Sequence, residues 1–372
     1  MSAFRSPLRD ERSAAILGLA LAVSFSVCFA TGLVSHLIQD PGGWFHWPAR
    51  PAGLYRVTQG LHVTTGVVSV PLLLVKLWVV FPKLFEWPPV RSVAHGLERL
   101  ALLPLVAGAL LLLFTGLANV NVYRPWAFSF RSGHLAAAWV TTGAMVVHVG
   151  AKWAITRTAL RASAAVPHDP VHGGLTRRGL LGVAFGSAAL VGLLTVGQTF
   201  RPLAPLAVLA PRRPDIGPQG FPVNRTAASV GLVDVDVMSY RLVVDGPGVG
   251  RPLSLSYEDL VAMPQHSATL AIACVEGWST SQRWRGVRVR DLLERAEASG
   301  ASMSLVHAIH VSERLRTAPL SASHAADPDT LLALFVNDEV LAPDHGFPVR
   351  LIGPNRPGVH QTKWVGWIEV MA

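Results

Sequence analysis

The chain has 372 residues, of which 51% are hydrophobic and only 15% are charged, a balance that excludes an ordinary soluble protein and is typical of a membrane protein. Its 32 basic and 23 acidic residues give a formal net charge of +9, which the arginine-rich loops of a membrane protein explain without a nucleic-acid partner. The only two cysteines, Cys28 and Cys274, exclude a disulfide framework and any cysteine-rich metal site.

Five apolar stretches in the first 200 residues are long enough to cross a hydrocarbon core, which takes about 20 residues of helix. They run over residues 14–36, 60–81, 100–120, 134–153 and 180–200. The first four predict an all-α membrane bundle over residues 1–160. The fifth lies in segment 161–201 and predicts a span that links the bundle to the rest of the chain.

Basic residues in the connecting segments predict the orientation, because positively charged loops stay in the cytoplasm. Eleven arginines and lysines fall on the side of the N-terminus and four on the other side. We therefore expect the N-terminus inside. With five spans, everything after residue 200 then lies outside the cytoplasm.

Histidines at the predicted spans are functional candidates, since ionisable residues in a membrane are costly. His134 and His148 are 14 residues apart in one span, which places them on one face, about 21 Å apart in depth. His62 is level with His134 on the outer side, and His95 is level with His148 on the inner side. This spacing predicts His62 with His134 as axial ligands of an outer haem, and His95 with His148 as ligands of an inner one.

On this ground the four-span part resembles membrane b-type cytochromes, which implies one or two haem b groups. One departure weakens the inner site, because Lys76 stands 14 residues after His62, where a two-by-two histidine arrangement needs a histidine. The alternative is that these histidines only anchor helices at the headgroup level.

A pair of arginines, Arg177 and Arg178, directly precedes the fifth span in the sequence TRRGLL at 176–181. These residues look like an internal twin-arginine export signal, which carries folded cargo. The alternative is that they are ordinary positive-inside charges.

A Pro-rich connector at 202–222 leads to an outer domain at 223–372, for which the alternation of hydrophobic residues predicts an α+β fold. Strands are predicted at 240–244, 269–274, 306–312, 347–352 and 364–370. Helices are predicted at 256–263, 289–299 and 329–334. Cys274 ends one of these strands, and a soft thiolate that ligates a metal explains an unpaired cysteine outside the cytoplasm.

The ordered motifs of this domain are YRLVVDG at 240–246, SYEDL at 256–260, CVEGWS at 274–279, WRGV at 284–287, DHGFPVRL at 344–351 and KWV at 363–365. With this order and spacing the domain resembles the sulfite oxidase-like, molybdopterin-dependent oxidoreductases. The resemblance implies that Cys274 ligates molybdenum and is the catalytic residue. It further implies a set of cofactor-binding residues: Asn224, Ser312, His345, Arg350, Gln361, Thr362 and Lys363.

The stretch directly after Cys274 departs from the family pattern. Sulfite-oxidising members carry arginines there, whereas this chain has Ser279, Thr280, Ser281 and Gln282 before Arg283. An anion pocket could still be assembled from Arg283, Arg285 or Arg314. The departure disfavours sulfite as the substrate.

The layout looks like a fusion of the periplasmic methionine-sulfoxide reductase catalytic subunit with a haem-bearing membrane partner. It implies a protein of the bacterial inner membrane in which quinol electrons pass through haem b to an extracytoplasmic molybdenum site that reduces a free or protein-bound sulfoxide. One alternative is oxidation of sulfite or an organosulfur compound, with electrons passed inward. A second is a haem electron conduit or anchored binding protein whose outer domain is degenerate.

Overall fold

The structure, a computed structural model, describes residues 6, 8–42, 44–88, 90–123, 125–161, 175–197, 199–232, 235–298, 303–309 and 317–372. They form two compact units. The first comprises residues 1–34, 61–196 and 205–211, and the second comprises Ser35–Gly60, Gly197–Ala204 and Arg212–Ala372, within the described ranges. The predicted membrane domain at 1–160 includes Ser35–Gly60, mostly as a loop between two spans, and the contacts of this segment cluster with the second unit.

Five long apolar helices lie in the described part of the chain, and each is long enough to cross a membrane. They are α1 (Glu11–Gln39), α2 (Leu54–Val80), α3 (Val93–Val120), α4 (Phe130–Arg161) and α5 (Arg177–Val196). The five predicted helices are confirmed, and most extend past the apolar stretches because neighbouring polar residues continue the helix. Buried side chains of α1, α2, α3 and α5, among them Leu17, Leu72 and Ala184, form the core of the first unit.

The second unit contains a first five-stranded sheet with the order β2-β1-β10-β5-β6 in the described residues. Its strands are β1 (Leu242–Asp245), β2 (Leu253–Leu255), β5 (Met303–Ala308), β6 (Thr317–Ser321) and β10 (Val365–Val370). Strands β1 and β10 are parallel and the other pairs are antiparallel. The C-terminal strand therefore lies at the centre of this sheet.

A second sheet in the described residues has the order β3-β4-β7-β8, with β9 paired to β7. Its strands are β3 (His266–Ala273), β4 (Ser279–Arg288), β7 (Leu331–Val336), β8 (Glu339–Val340) and β9 (Arg350–Ile352). Three short helices accompany the sheets: α6 (Tyr257–Ala262), α7 (Val289–Arg295) and α8 (Ala322–Ala326). The α+β class is confirmed.

In this unit one sequence prediction is wrong and one long strand was missed. The helix predicted at 329–334 is wrong, because this apolar run forms β7, five of whose six residues are buried. A strand covered on both faces reads as a continuous apolar run, which periodicity cannot distinguish from a short helix. Strand β4, ten residues long, was not predicted because its first half, STSQR, is polar.

Candidate active site

Cys274 lies in a tight turn between β3 and β4, the two strands of one antiparallel hairpin. The Cys274 amide donates to the Trp278 carbonyl at 2.9 Å, and the Gly277 amide donates to the Cys274 carbonyl at 3.1 Å. Gly277 has φ of 90°, a left-handed conformation that favours glycine. We name residues 274–278 the Cys274 turn.

The sulfur of Cys274 receives two hydrogen bonds. Asn224 Nδ2 donates to Sγ at 2.9 Å, and the Glu276 amide donates to it at 3.4 Å. The residue is only 2% exposed, and burial together with the nearby Glu276 carboxylate raises the pKa of the thiol to about 12. The raised pKa keeps the unligated thiol protonated, while the two donors aimed at the sulfur would support a thiolate once a metal ion supplies the compensating positive charge.

A cavity of about 100 Å³, partly open to solvent, lies beside this turn. It is lined by polar and cationic side chains at Asn224, Arg225, Arg350, Gln361, Thr362 and Lys363, together with apolar and backbone groups of Phe221, Pro222, Val230, Ile272, Trp278, Gly358, Val359 and Trp364. No carboxylate is among these described lining residues. The cavity therefore favours an anionic ligand.

Two cations line this cavity without a carboxylate partner in the described contacts. Arg350 is 4% exposed, and its Nη1 donates to the His345 carbonyl at 3.0 Å. Lys363 Nζ donates to the carbonyls of Arg225 and Asp344, at 2.9 and 2.6 Å. Burial lowers the pKa of Arg350 to about 9, and burial together with Arg350 lowers that of Lys363 to about 7. A lowered pKa means that the positive charge of each side chain is destabilised in the site. A bound anion would offset that cost, so the site favours a negatively charged ligand.

The imidazole of His345 is buried and stacks on Phe221, with ring centroids 3.7 Å apart. Its Nε2 lies 2.8 Å from the Pro218 carbonyl, so it must carry the proton and donate. Burial and the cations Arg350 and Lys363 lower the pKa of His345 to about 4, which keeps the ring neutral. Nδ1 is therefore an acceptor, and it is buried without a partner among the described residues.

The remaining sequence-predicted cofactor residues differ in their surroundings. Gln361 uses both ends of its amide on the backbone of Gly353, each bond 2.9 Å long. Thr362 is buried, and its hydroxyl has no partner in the described part of the chain. Ser312 lies outside the described residues, and so does Arg314.

Orphaned buried polar atoms test whether the residues present fit a molybdopterin. Arg350 Nε, His345 Nδ1 and Thr362 Oγ1 are all buried without a hydrogen-bond partner among the described residues. Such groups are costly unless a ligand satisfies them. Arg350 and Thr362 line the cationic cavity and offer donors that match a phosphate. His345, which stacks on the lining residue Phe221, offers an acceptor for the polar edge of a pterin, so the residues fit the cofactor that the resemblance implies.

Two of the arginines that could have built an anion pocket near Cys274 are engaged elsewhere, and the third, Arg314, lies outside the described residues. Arg283 forms an ion pair with Asp338, and Arg285 lies over the Phe335 ring, 3.7 Å from its centroid. Neither is among the residues that line the cavity. This placement agrees with the departure seen directly after Cys274.

Sequence reasoning missed one buried cation. Arg356 is 4% exposed, and its Nη2 donates to the carbonyls of Pro319 and His360, each at 2.9 Å. The residue precedes Pro357, which forms an isolated bridge with Ala273, next to Cys274. Burial lowers the pKa of Arg356 to about 9. The only signal in the sequence was an arginine in a Pro- and Gly-rich loop, which is typical of an exposed turn.

The first unit brings His62 and His134 together, with ring centroids 6.4 Å apart. His62 Nδ1 lies 2.8 Å from the Cys28 carbonyl, and His134 Nδ1 lies 2.9 Å from the Thr115 hydroxyl. Fixing Nδ1 in this way is the usual arrangement for a histidine that ligates a metal through Nε2. Gly32 makes room for the first ring, since a Cβ there would lie 2.7 Å from His62 Cε1.

The second histidine pair is not joined by any contact in the described residues. His95 Nδ1 accepts from the Arg91 amide at 3.1 Å near the start of α3. His148 Nδ1 is buried without a described partner. Lys76 donates to the Ala14 carbonyl. The described contacts therefore group the outer pair of histidines and leave the inner pair as a sequence prediction.

Comparisons with known proteins bear on the second unit. The family model described as "Oxidoreductase molybdopterin binding domain" matches residues 229–372. The mitochondrial sulfite oxidase of Rattus norvegicus is 32% identical over 178 residues, which cover 40% of this chain and 32% of the relative. The "Uncharacterized oxidoreductase YuiH" of Bacillus subtilis (strain 168) is 34% identical over 135 residues, covering 36% of this chain and 66% of the relative.

A plant relative is named for a different reaction. A nitrate reductase of Hordeum vulgare is 42% identical over 96 residues, which cover 23% of this chain and 11% of the relative. The chain spans about a third of the length of the mammalian sulfite oxidases that it matches. The matched domain is of the molybdopterin-binding kind, and the relatives are named both for oxidising and for reducing a substrate.

Proposed function

We propose that this chain, whose residues 229–372 belong to the sulfite oxidase-like molybdopterin-binding oxidoreductases, is a membrane-bound enzyme that reduces a sulfoxide or similar oxygen-atom donor with electrons from the quinone pool. The observation that carries the proposal is the Cys274 sulfur, which accepts two hydrogen bonds beside a cationic cavity. The five membrane-length helices in the described part of the chain support a location in a membrane, which we take to be the bacterial inner membrane.

The cofactor would be held by residues with distinct tasks. Cys274 would ligate molybdenum through its thiolate. Arg350, Thr362 and Lys363 offer donors to the phosphate, and a guanidinium fork suits that geometry. His345 Nδ1 offers an acceptor to an N–H on the pterin edge. When bound, molybdenum supplies oxygen-atom exchange, and the protein sets access and electron supply.

The membrane unit would supply electrons one at a time. Support comes from the proximity of His62 and His134, whose Nδ1 atoms are both held by polar partners. Two histidines from facing helices give a six-coordinate haem iron suited to electron transfer. We therefore place haem b at this pair and keep a second haem, at His95 and His148, as a sequence prediction.

The balance of the reaction fixes what must be delivered. A sulfoxide gains two electrons and two protons and yields a sulfide and water, while one quinol is oxidised to a quinone. The quinol supplies both electrons and releases two protons. The outer domain therefore needs an electron path but no second organic substrate.

A neutral substrate fits the surroundings of the Cys274 turn better than an anion. Uncharged Ser279, Thr280, Ser281 and Gln282 follow the turn, and the next arginine, Arg283, pairs with Asp338. Arg56 Nη1 contacts this stretch by donating to the Ser281 hydroxyl at 3.4 Å. The cations in the cavity are Arg225, Arg350 and Lys363, and the last two are assigned to the cofactor. Oxidation of sulfite or an organosulfur compound is the second candidate, because curated relatives are named sulfite oxidases.

The test uses the full chain purified from membranes in detergent. We expect about one molybdenum per chain and a b-type haem band in the dithionite-reduced spectrum. We also expect reduction of methionine sulfoxide or dimethyl sulfoxide with a reduced viologen dye. Sulfite oxidation that is faster than sulfoxide reduction would reverse the assigned direction. Absence of molybdenum would favour the degenerate outer domain.

A further inference from the structure

The Cys274 turn is contacted by two segments that lie far from it in sequence. Gln59 Nε2, in the first turns of α2, donates to the Val275 carbonyl at 3.4 Å. Thr199 Oγ1, just after α5, donates to the Gly277 carbonyl at 2.8 Å. Both acceptors are backbone atoms of the turn itself, so these side chains restrain its position without contacting the sulfur.

Gln59 is held by a buried network. Ser35 Oγ donates to Gln59 Oε1 at 3.1 Å and lies 3.2 Å from the Tyr55 hydroxyl. Ser35, Tyr55 and Gln59 are 6%, 1% and 5% exposed. Buried polar groups that are mutually satisfied favour a single arrangement, and in this one the Gln59 amide is aimed at the turn.

The segment that leads into α2 is anchored to the same unit by Asn355, which is 3% exposed. Its Oδ1 accepts from the Tyr55 amide and its Nδ2 donates to the Pro48 carbonyl, both at 2.7 Å. Its backbone bonds to Trp47 Nε1 and to the Ala52 carbonyl, at 2.9 and 3.0 Å.

A bidentate ion pair from Arg50 to Asp327 reinforces this anchor, with nitrogen–oxygen distances of 2.8 and 3.0 Å. Asn355 and Asp327 thus both hold the segment that leads into α2.

The two clamping segments also touch each other. Gly60 lies against Thr199 so closely that a Cβ at residue 60 would come within 2.6 Å of Thr199 Cγ2. Only glycine permits this approach. Gln59 and Thr199 therefore form one clamp, made from a residue in the first turns of α2 and a residue just after α5.

We propose that Gln59 and Thr199 are positioning residues that clamp the Cys274 turn to the extramembrane end of α2, and that electron delivery to the molybdenum site depends on this clamp. The proposal rests on the proposed function. His62 follows Gln59 on α2 at a spacing of three residues, one helical turn. Each delivery moves one electron, and two deliveries with two protons balance the release of one oxygen atom as water.

The experiment compares the full-length protein with Thr199→Val, with Gln59→Leu and with the double variant. Valine is close to threonine in shape and removes only the donor to Gly277. We expect hydrogen–deuterium exchange in peptides covering 274–279 to rise about fivefold in the double variant, since two hydrogen bonds that restrain the turn are lost. Quinol-driven sulfoxide reduction should fall about fivefold or more, while reduction driven by a soluble viologen dye stays within about twofold.

Thr58→Val is the matched control, because the Thr58 hydroxyl donates only to the Tyr55 carbonyl of its own helix, at 3.1 Å. Its exchange and both rates should equal those of the wild type. Unchanged exchange in all three clamp variants would overturn the clamp. An equal fall of the quinol-driven and dye-driven rates would overturn the role in electron delivery.

Failure of the proposed function gives a different pattern. A wild type without a haem band removes the quinol-driven reaction and overturns the electron-delivery role together with the proposed function. The exchange measurement needs no haem, so it still decides whether Gln59 and Thr199 restrain the turn.

Discussion

Asn224 donates a hydrogen bond from Nδ2 to the sulfur of Cys274 at 2.9 Å, across 50 positions of the chain. The amide follows the Pro-rich connector, and the thiol follows strand β3. A neutral donor on a thiolate ligand withdraws charge from it and fixes its direction, so the segment directly after the connector takes part in the site.

Replacement of Asn224 by alanine tests this contact. We expect turnover with a soluble dye to fall about 10- to 100-fold, the usual cost of losing a polar partner of a metal ligand. Molybdenum content and dye-driven activity are measured together. Asn121→Ala is the control, since its amide donates only to Leu117 at the end of α3 and should change neither quantity. Wild-type turnover in Asn224→Ala would contradict the role of this bond.

Cys274→Ser should abolish turnover, because a serine oxygen is a poor substitute for a soft thiolate ligand. Its smaller side chain fits the buried site, so the circular dichroism spectrum should stay that of the wild type. Cys28→Ser is the matched control: this thiol lies in α1 near His62, and its loss should leave molybdenum content unchanged. Full activity in Cys274→Ser would remove molybdenum ligation from this residue.

His134→Ala should remove the outer haem while activity with a soluble dye survives, because the molybdenum site keeps all its residues. Quinol-driven activity should be lost. Dithionite-reduced difference spectra report the haem. His95→Ala is the comparison, since His95 contacts no other histidine in the described residues, and it should keep the outer haem band. An unchanged spectrum in His134→Ala would mean that His62 and His134 do not bind haem.

Lys363 predicts a pH dependence of the cofactor-free protein. Its folded-state pKa is lowered to about 7 by burial and by Arg350, whereas an unfolded lysine has a pKa of about 10.4. Between these values the unfolded state binds more protons, so stability should rise with pH from about 7 upward, by at most about 1.4 kcal/mol per pH unit.

The measurement is thermal unfolding of the cofactor-free protein from pH 6.5 to 8.5. Lys363→Met should remove this contribution, whereas Lys83→Met, at a half-exposed side chain that pairs with Glu11, should not. In the loaded protein the cofactor phosphate should raise the pKa of Lys363 and abolish the slope. An identical slope in wild type and Lys363→Met would assign the dependence to other groups.

Arg177→Lys combined with Arg178→Lys tests the export signal. Lysine keeps the positive charge, so the topology signal is retained and only recognition of paired arginines is lost. We expect the first four spans to insert normally and the outer domain to stay in the cytoplasm. Protease added to spheroplasts should then digest the wild-type domain and spare the variant, and equal digestion would show that the arginines act only as topology charges.

The five long apolar helices of the described residues could be predicted from the sequence because their signal is local. About 20 apolar residues in a row have few alternatives to a spanning helix, and the described bounds of α1 to α5 contain most of each predicted stretch. Cys274, Arg350 and Lys363 could be named because the motifs around them are contiguous. His62 and His134 followed from helix periodicity, since equal depth on facing helices is a matter of counting residues.

Non-local contacts decided the rest. The apolar composition of the run at 329–334 is compatible with either a helix or a strand. Its pairing with β4 and β9 is what makes Leu331–Val336 a strand. Arg356 became a buried cation only when β6 and the loop after β9 met.

The attachment of Ser35–Gly60 to the outer domain rests on Asn355, Arg50 and Gln59, each of which is an ordinary polar residue in the sequence. A hydrogen bond between positions 59 and 275 leaves no periodic trace in either segment, because its geometry exists only after the chain between them has folded.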